Sequence, residues 1–279
     1  MAAQFELNRS TDPARRLAGK VALVTGAGSE GDLLGIGVAT AVLFAAHGAR
    51  VGVFDVSAER AARTVALAGE AGGEAVALVG DVTSSDDCAR AVQDLVERWG
   101  RFDALVNNAA IVGGGDVESV PEDVWARVLD VNLTGVMLMS KHAAPALRAS
   151  GGGAVVNVSS IAGIRGFGSA SYAATKAGLL GLTYDMAYTH GRDGIRVNCL
   201  VLGHLFTPMG NQGGEDLRER RRRAGLLGTE GNAWDAAWAA LFLASEEARW
   251  ITGVVLPVDA GTTSATALGL QNLEARHPA

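Results

Sequence analysis

The run Val21-Ala22-Leu23-Val24-Thr25-Gly26-Ala27-Gly28-Ser29, followed by Gly35-Ile36-Gly37, decides the fold. Four consecutive apolar residues predict a short strand buried on both faces. The glycines predict a tight turn where backbone can approach a ligand. A helical pattern opens near Gly35 and runs through Ala39, Val42, Leu43 and Ala46 to Gly48. The N-terminus of such a helix offers free N–H donors and the positive end of a dipole. Strand, glycine-rich turn and helix in this order form a dinucleotide-binding arrangement, with Gly26, Ser29, Gly35 and Ile36 as the expected contacts.

A second strand at 50–54 ends in Asp55, where a ribose-binding acid belongs. A carboxylate there accepts hydrogen bonds from adenosine ribose hydroxyls and repels a 2′-phosphate. No arginine or lysine stands in the glycine loop or directly after Asp55, so NAD is favoured over NADP.

The alternation then continues. Strands are predicted at 75–79, 104–106, 154–158, 195–201 and 254–258, and helices at 57–72, 84–99, 122–149, 171–190 and 233–244. Between 203 and 231 the chain is polar and irregular. Alternating strands and helices imply an α/β fold, a single Rossmann-type doubly wound parallel sheet with helices on both faces. With no internal repeat or interior linker, the expected division is a loose leader at 1–18, one NAD-binding catalytic domain at 19–262 and a tail at 263–279.

Of the 279 residues, 48% are hydrophobic and 19% charged, which fits a well-buried domain. A net charge of −6 argues against a nucleic-acid surface. Cys88 and Cys199 give no disulfide framework, and Cys199, in an apolar run, reads as a buried core thiol. The histidines show no ligand spacing, so no metal is expected. The first twenty residues lack an apolar signal core, and no apolar run has the length of a membrane span. The expected location is the cytoplasm.

The chemistry is concentrated in Ser171-Tyr172-Ala173-Ala174-Thr175-Lys176, with Ser160 upstream. Residues four apart share a helix face, so Tyr172 and Lys176 project together. A phenol ionises near pH 10, and a neighbouring ammonium is expected to bring it towards a useful range. Ser160, at a strand end, could hydrogen-bond the same substrate oxygen. Taken alone, such a pair is ordinary helix surface.

The ordered set changes that reading. Thr25-Gly26 with Gly35-Ile36-Gly37, Asp81-Val82, Asn107-Asn108-Ala109, Asn132, Ser159-Ser160, Tyr172 through Lys176, Ile195-Arg196-Val197-Asn198 and Val258-Asp259-Ala260-Gly261 resembles the classical short-chain dehydrogenase/reductase family over residues 18–262. The resemblance implies that Tyr172 is the general acid/base, that Lys176 lowers its pKa and binds the nicotinamide ribose, and that Ser160 orients the substrate oxygen. It gives Asn132 a helix distortion and a proton relay, and Ser159 a structural part. It assigns Asp81 and Val82 to the adenine, Asn108 and Ala109 to the adenosine side, and Gly203, Leu205 and Thr207 to the nicotinamide end.

The chain departs from the family pattern in four places. Residues 30–34 are inserted in the glycine loop, Ala110 replaces a glycine, Leu202 replaces a proline, and the Ser160-to-Tyr172 loop is one residue short. The long loop resembles that of divergent enoyl reductases, whose active-site tyrosine and lysine are spaced differently.

On the substrate side, Ile111, Val112, Ile161, Phe167 and Leu205 are candidate walls for a mainly apolar molecule, though each could equally pack in the core. His204 reads as an exposed loop histidine rather than a substrate contact. Arg218 and the arginines at 220–223 read as a solvated helix face, with a dock for an anionic handle, such as phosphopantetheine or a coenzyme A phosphate, as the alternative.

The leading expectation is an NAD(H)-dependent oxidoreductase interconverting a secondary alcohol and a ketone. The alternatives are a 3-oxoacyl thioester reductase, against which Asp55 counts, and an idle NAD-binding scaffold, against which the intact Asn132, Ser160, Tyr172 and Lys176 count. The family implies a homotetramer or homodimer.

Overall fold

The computed structural model describes residues 15–29, 31–211 and 213–276. Seven parallel strands form one sheet in the order β3-β2-β1-β4-β5-β6-β7. They are β1 Val21–Thr25, β2 Arg50–Asp55, β3 Glu74–Val79, β4 Ala104–Asn107, β5 Gly153–Ser160, β6 Ile195–Leu202 and β7 Val255–Val258. The helices are α1 Ile36–Ala46, α2 Ala58–Glu70, α3 Ser85–Trp99, α4 Glu122–Leu129, α5 Gly135–Ala149, α6 Ala170–His190, α7 Gly214–Arg223, α8 Ala233–Ala244 and α9 Ala267–Arg276.

Strand β1 shows why both faces must be covered, since successive side chains point to opposite sides. Ala22 and Val24 join a core with α1, α2 and α8, while Val21 and Leu23 join a second core with α3 and α5. Local chemistry sets the helix ends. Ser57 and Ser84 cap α2 and α3 by accepting the backbone N–H of Arg60 and Asp87. Asn232 and Asp235 form a reciprocal capping box on α8.

Strand order runs outward through β2 and β3 on one side of β1 and through β4 to β7 on the other. The reversal between β1 and β4 opens a crevice at their carboxyl ends, where open α/β sheets bind ligands.

The helical region expected at 122–149 is three pieces, α4, a π-turn at Asp130–Thr134 and α5, with the break at the distortion the resemblance implies for Asn132. Within the irregular stretch up to residue 231, the arginine run lies on a helix as read from the sequence, α7. One expectation needs correction. Residues 15–18 are packed rather than loose, because Leu17 is fully buried and its N–H donates to the His47 carbonyl. Residues 1–14 of the expected leader, residue 30 of the insertion, and His277 lie outside the described residues. Among the described residues no helix is long and apolar enough to cross a membrane.

Candidate active site

A cleft of about 580 Å³ runs across the switch point, from Asp55 and the glycine turn to Tyr172 and Met209. Its floor is built by close backbone approach. Gly26 has φ +61°, and a Cβ there would stand 2.7 Å from Ala109 Cα. A Cβ on Gly37 would lie 2.4 Å from the Gly26 carbonyl oxygen. Asn108 locks this junction by donating its side-chain amide to the carbonyls of Thr25 and Gly26, each at 3.0 Å.

Helix α1 starts at the mouth of this turn with Gly35 as its N-cap, no side-chain cap and no acid in its first turn. Its leading N–H groups are left for an anion. A Cβ on Gly35 would meet nothing nearer than 3.9 Å, so Gly35 leaves room at the cleft wall. This cradle fits the pyrophosphate of a dinucleotide. At the same end Asp55 accepts the N–H of Gly28 at 2.9 Å and of Ser57 at 3.0 Å, with Arg60 Nε at 3.5 Å.

The reacting end is set by β5 and α6. Ser160 ends β5, and a one-turn 3-10 helix at Ile161–Gly163 lies against α6. Gly163 permits that contact, since a Cβ there would be 2.6 Å from the Lys176 carbonyl carbon. Ser159 donates to the Lys176 carbonyl at 2.7 Å and reinforces it. Ser160, Tyr172 and Lys176 thereby share one wall of the cleft. Lys176 Nζ lies 5.5 Å from the Tyr172 ring centroid and donates to the Val158 carbonyl at 2.8 Å.

The electrostatics differ from the sequence expectation. Burial pushes the Tyr172 phenol up, and a hydrogen bond with Ser160 pulls it partly back. The expected lowering by Lys176 is not seen. Its own ammonium is depressed to about 8 by burial and is committed to Val158. At neutral pH the wall therefore presents a protonated phenol, a hydroxyl and a buried ammonium, a set able to pass a proton to or from a ligand oxygen.

A family profile described as enoyl-(acyl carrier protein) reductase matches residues 31–263. The chain is 39% identical over 247 residues to the 3-oxoacyl-[acyl-carrier-protein] reductase of Thermotoga maritima, covering 88% of this chain and 98% of that one. It is 35% identical over 271 residues to levodione reductase of Leifsonia aquatica, covering 93% and 100%. The solved structure of a short-chain dehydrogenase/reductase from Burkholderia xenovorans superposes with a TM-score of 0.86 at 42% identity, covering 90% and 99%. The chain belongs to the short-chain dehydrogenase/reductase family.

Within this short-chain dehydrogenase/reductase fold, the structure sorts the sequence candidates. Gly26, Gly35, Ile36, Asp55, Asp81, Val82, Asn108, Ala109, Gly203, Leu205 and Thr207 all line the cleft with Ser160, Tyr172 and Lys176. Ser29 and Asn132 do not. Ser29 is buried and its N–H is turned to the Arg60 carbonyl. The inserted loop is pinned by Leu34, which packs into the α1 core, while Asp32 stays at the surface. Asn132 sits behind the wall in the π-turn. Its Oδ1 accepts the Ile111 N–H at 2.8 Å, and its Nδ2 donates to the Ile111 carbonyl at 2.9 Å and Thr175 Oγ1 at 3.3 Å.

On the substrate side, Ile111, Val112, Phe167 and Leu205 line the cleft, whereas Ile161 packs with Cys199 and Val201 in the core. His204 is half-buried rather than exposed, stacked on Phe167 with ring centroids 6.2 Å apart. Sequence reasoning missed Arg60. The signal was present, since Ser57 as N-cap puts Arg60 in the first turn of α2, facing back to Asp55.

Proposed function

We propose that the protein is an NAD(H)-dependent oxidoreductase that interconverts a secondary alcohol and a ketone on a small, mainly apolar molecule. The observation that carries this reading is a single cleft holding Asp55 and the uncapped α1 cradle at one end and Ser160, Tyr172 and Lys176 at the other.

Gly26, Gly35 and Ile36 hold the pyrophosphate, Asp55 the adenosine ribose, and Asp81 and Val82 the adenine. Lys176, with Gly203, Leu205 and Thr207, holds the nicotinamide end. The dinucleotide, when bound, supplies hydride acceptance or donation. In ketone reduction Ser160 holds the carbonyl oxygen and the protonated phenol of Tyr172 gives it a proton; in alcohol oxidation Ser160 holds the hydroxyl oxygen and Tyr172, ionised by loss of its own proton to solvent, takes the hydroxyl proton. Asn132 positions Ile111 and α6 rather than touching substrate. The relative named as a levodione reductase supports a ketone as one partner of the pair.

A 3-oxoacyl thioester is the second reading, supported by the Thermotoga maritima relative. The acid at Asp55 counts against the NADPH such reductions more often use. A homotetramer or homodimer in the cytoplasm is the expected setting.

Titration of NAD(H) and NADP(H) into the purified protein, followed by turnover on a panel of secondary alcohols and ketones, tests the reading. Tyr172→Phe is expected to bind NAD as the wild type does while losing turnover by about a hundredfold or more. Undiminished turnover in that variant, or tighter binding of NADP than NAD, would overturn the assignment.

A further inference from the structure

Helix α7 carries Arg218 and four consecutive arginines at 220–223, and most of that charge is engaged locally. Arg218 forms a two-pronged pair with Glu230 at 2.6 and 2.7 Å and lies 3.9 Å from the Phe206 ring centroid. Arg222 pairs in the same way with Glu219 at 2.7 and 2.6 Å. Arg220 reaches the Asp216 carbonyl at 3.4 Å, and Arg223 acts on Glu219. These pairings leave little for a phosphopantetheine or coenzyme A dock on the outer face.

Arg221 differs from its neighbours. It is half-buried, lines the catalytic cleft, and has no carboxylate within ion-pair distance among the described residues. A half-buried guanidinium with no anionic partner keeps its donors available to a ligand that enters the cleft. The group beside it is His204, whose imidazole is held below its usual pKa by burial and by the Arg221 charge. Asp259 is the opposing charge near His204, but its oxygens are taken by the N–H groups of Gly261 and Thr263 and by the Thr263 hydroxyl.

His204 stacks on Phe167, and both line the cleft with Ser160 and Tyr172, at the end away from Asp55. His204 and Arg221 thus both border the cleft that holds Ser160 and Tyr172, and Arg221 also borders a small pocket with Arg218 and Glu230. We infer that Arg221, with His204 beside it, recognises a carboxylate on the substrate, so that the molecule oxidised or reduced is a hydroxy or oxo acid with its acid group remote from the reacting carbon. This rests on the alcohol–ketone reading above and narrows it. One unpaired guanidinium matches one carboxylate in two-pronged geometry, and the apolar Ile111, Val112 and Leu205 take the body of the molecule.

The test uses a matched pair of probes. Cyclohexanecarboxylate and cyclohexanecarboxamide are titrated calorimetrically into the wild type at saturating NADH and without it. The carboxylate is expected to bind about tenfold tighter or more. Arg221→Gln is expected to bring the ratio to about one and Arg221→Lys to restore part of it, while Arg220→Gln keeps it. Equal binding of the two probes by the wild type overturns the proposal. So does a preference that survives Arg221→Gln, or one that NADH abolishes, which puts the anion in the α1 cradle instead. Turnover of 4-oxocyclohexanecarboxylate against its carboxamide should show the same ratio in KM. A carboxylate preference lost in Arg221→Gln, with no turnover of any ketone or alcohol, sustains the anion site and sinks the alcohol–ketone reading.

Discussion

Gly28 and Asp55 are in direct contact. The glycine N–H donates to Asp55 Oδ2 at 2.9 Å, and a Cβ on Gly28 would lie 2.5 Å from the carboxylate carbon. The turn after β1 and the end of β2 thus hold the acid in a fixed direction at one end of the cleft. A fixed negative charge repels a 2′-phosphate without needing to move. Arg60 lies alongside, so removing the acid leaves a positive charge at that end. Asp55→Ala is expected to lower the preference for NAD over NADP by about tenfold to a hundredfold, read as the ratio of the two dissociation constants. An unchanged ratio would show that Asp55 does not face the ribose.

Lys176 predicts a pH dependence. Its ammonium titrates at about 8 in the folded protein against an ordinary 10.5, because it is buried. Below about pH 8 both folded and unfolded chains carry the proton, and the folded state bears the cost of the buried charge in full. Between 8 and 10.5 only the unfolded chain holds it, so this group's contribution to stability rises with pH. Cys88 and Cys199, raised to about 11 by burial, pull the other way; Cys88 does so in both proteins, whereas Cys199 loses the lowering by the Lys176 charge in the variant and pulls more strongly there, which adds to the predicted difference. The melting temperature of the wild type minus that of Lys176→Met should therefore increase from pH 7 to pH 10. A difference that is flat or falling over that range contradicts the depressed value.

What the sequence made legible follows from short-range rules. The β1–turn–α1 unit was readable because apolar runs, glycines and helix periodicity are local signals, and Asp55, Tyr172 and Lys176 could be placed from the elements carrying them. The π-turn was not readable from periodicity, because the extra residue at Asp130–Thr134 changes the hydrogen-bond register and not the composition. His204 was misjudged because Phe167, on which it stacks, is distant in sequence. The direction of the Tyr172 shift was missed for a related reason. Helix spacing puts the amine near the phenol, but only the folded chain shows the burial that raises the phenol and the Val158 carbonyl that holds the amine. Arg221 could not be told from its neighbours by sequence: the Glu219–Arg222 pair is a local one on α7, but Glu230, which engages Arg218, and the cleft that Arg221 lines come together only in the fold.

Two glycines of one motif should separate folding from binding. At Gly37 an added Cβ would meet the Gly26 carbonyl oxygen at 2.4 Å and Asn108 Nδ2 at 2.6 Å, so Gly37→Ala should cost about 1–3 kcal/mol of stability and lose the dinucleotide. At Gly35 the same methyl would meet nothing nearer than 3.9 Å and would crowd only the cradle. Gly35→Ala should keep the wild-type melting temperature and weaken NAD by about tenfold or more. Chemical denaturation and NAD titration of both variants decide it. A Gly35→Ala protein that binds NAD normally would move the pyrophosphate away from the α1 N-terminus.

Asn132 is the test of whether a residue behind the wall governs the chemistry in front of it. Its amide satisfies both the N–H and the carbonyl of Ile111 and reaches Thr175, the neighbour of Lys176. Asn132→Ala leaves those groups without partners and should cost about 1–3 kcal/mol. The Ile111 segment forms part of the cleft wall, and Thr175 is in the same turn of α6 as Tyr172. Loosening both should lower kcat by about tenfold while the NAD dissociation constant changes little. Hydrogen exchange at the Ile111 amide separates this positioning role from a direct one. Faster exchange together with reduced kcat is the expected result, whereas reduced kcat with Ile111 protected as in the wild type would assign Asn132 a part in proton transfer itself.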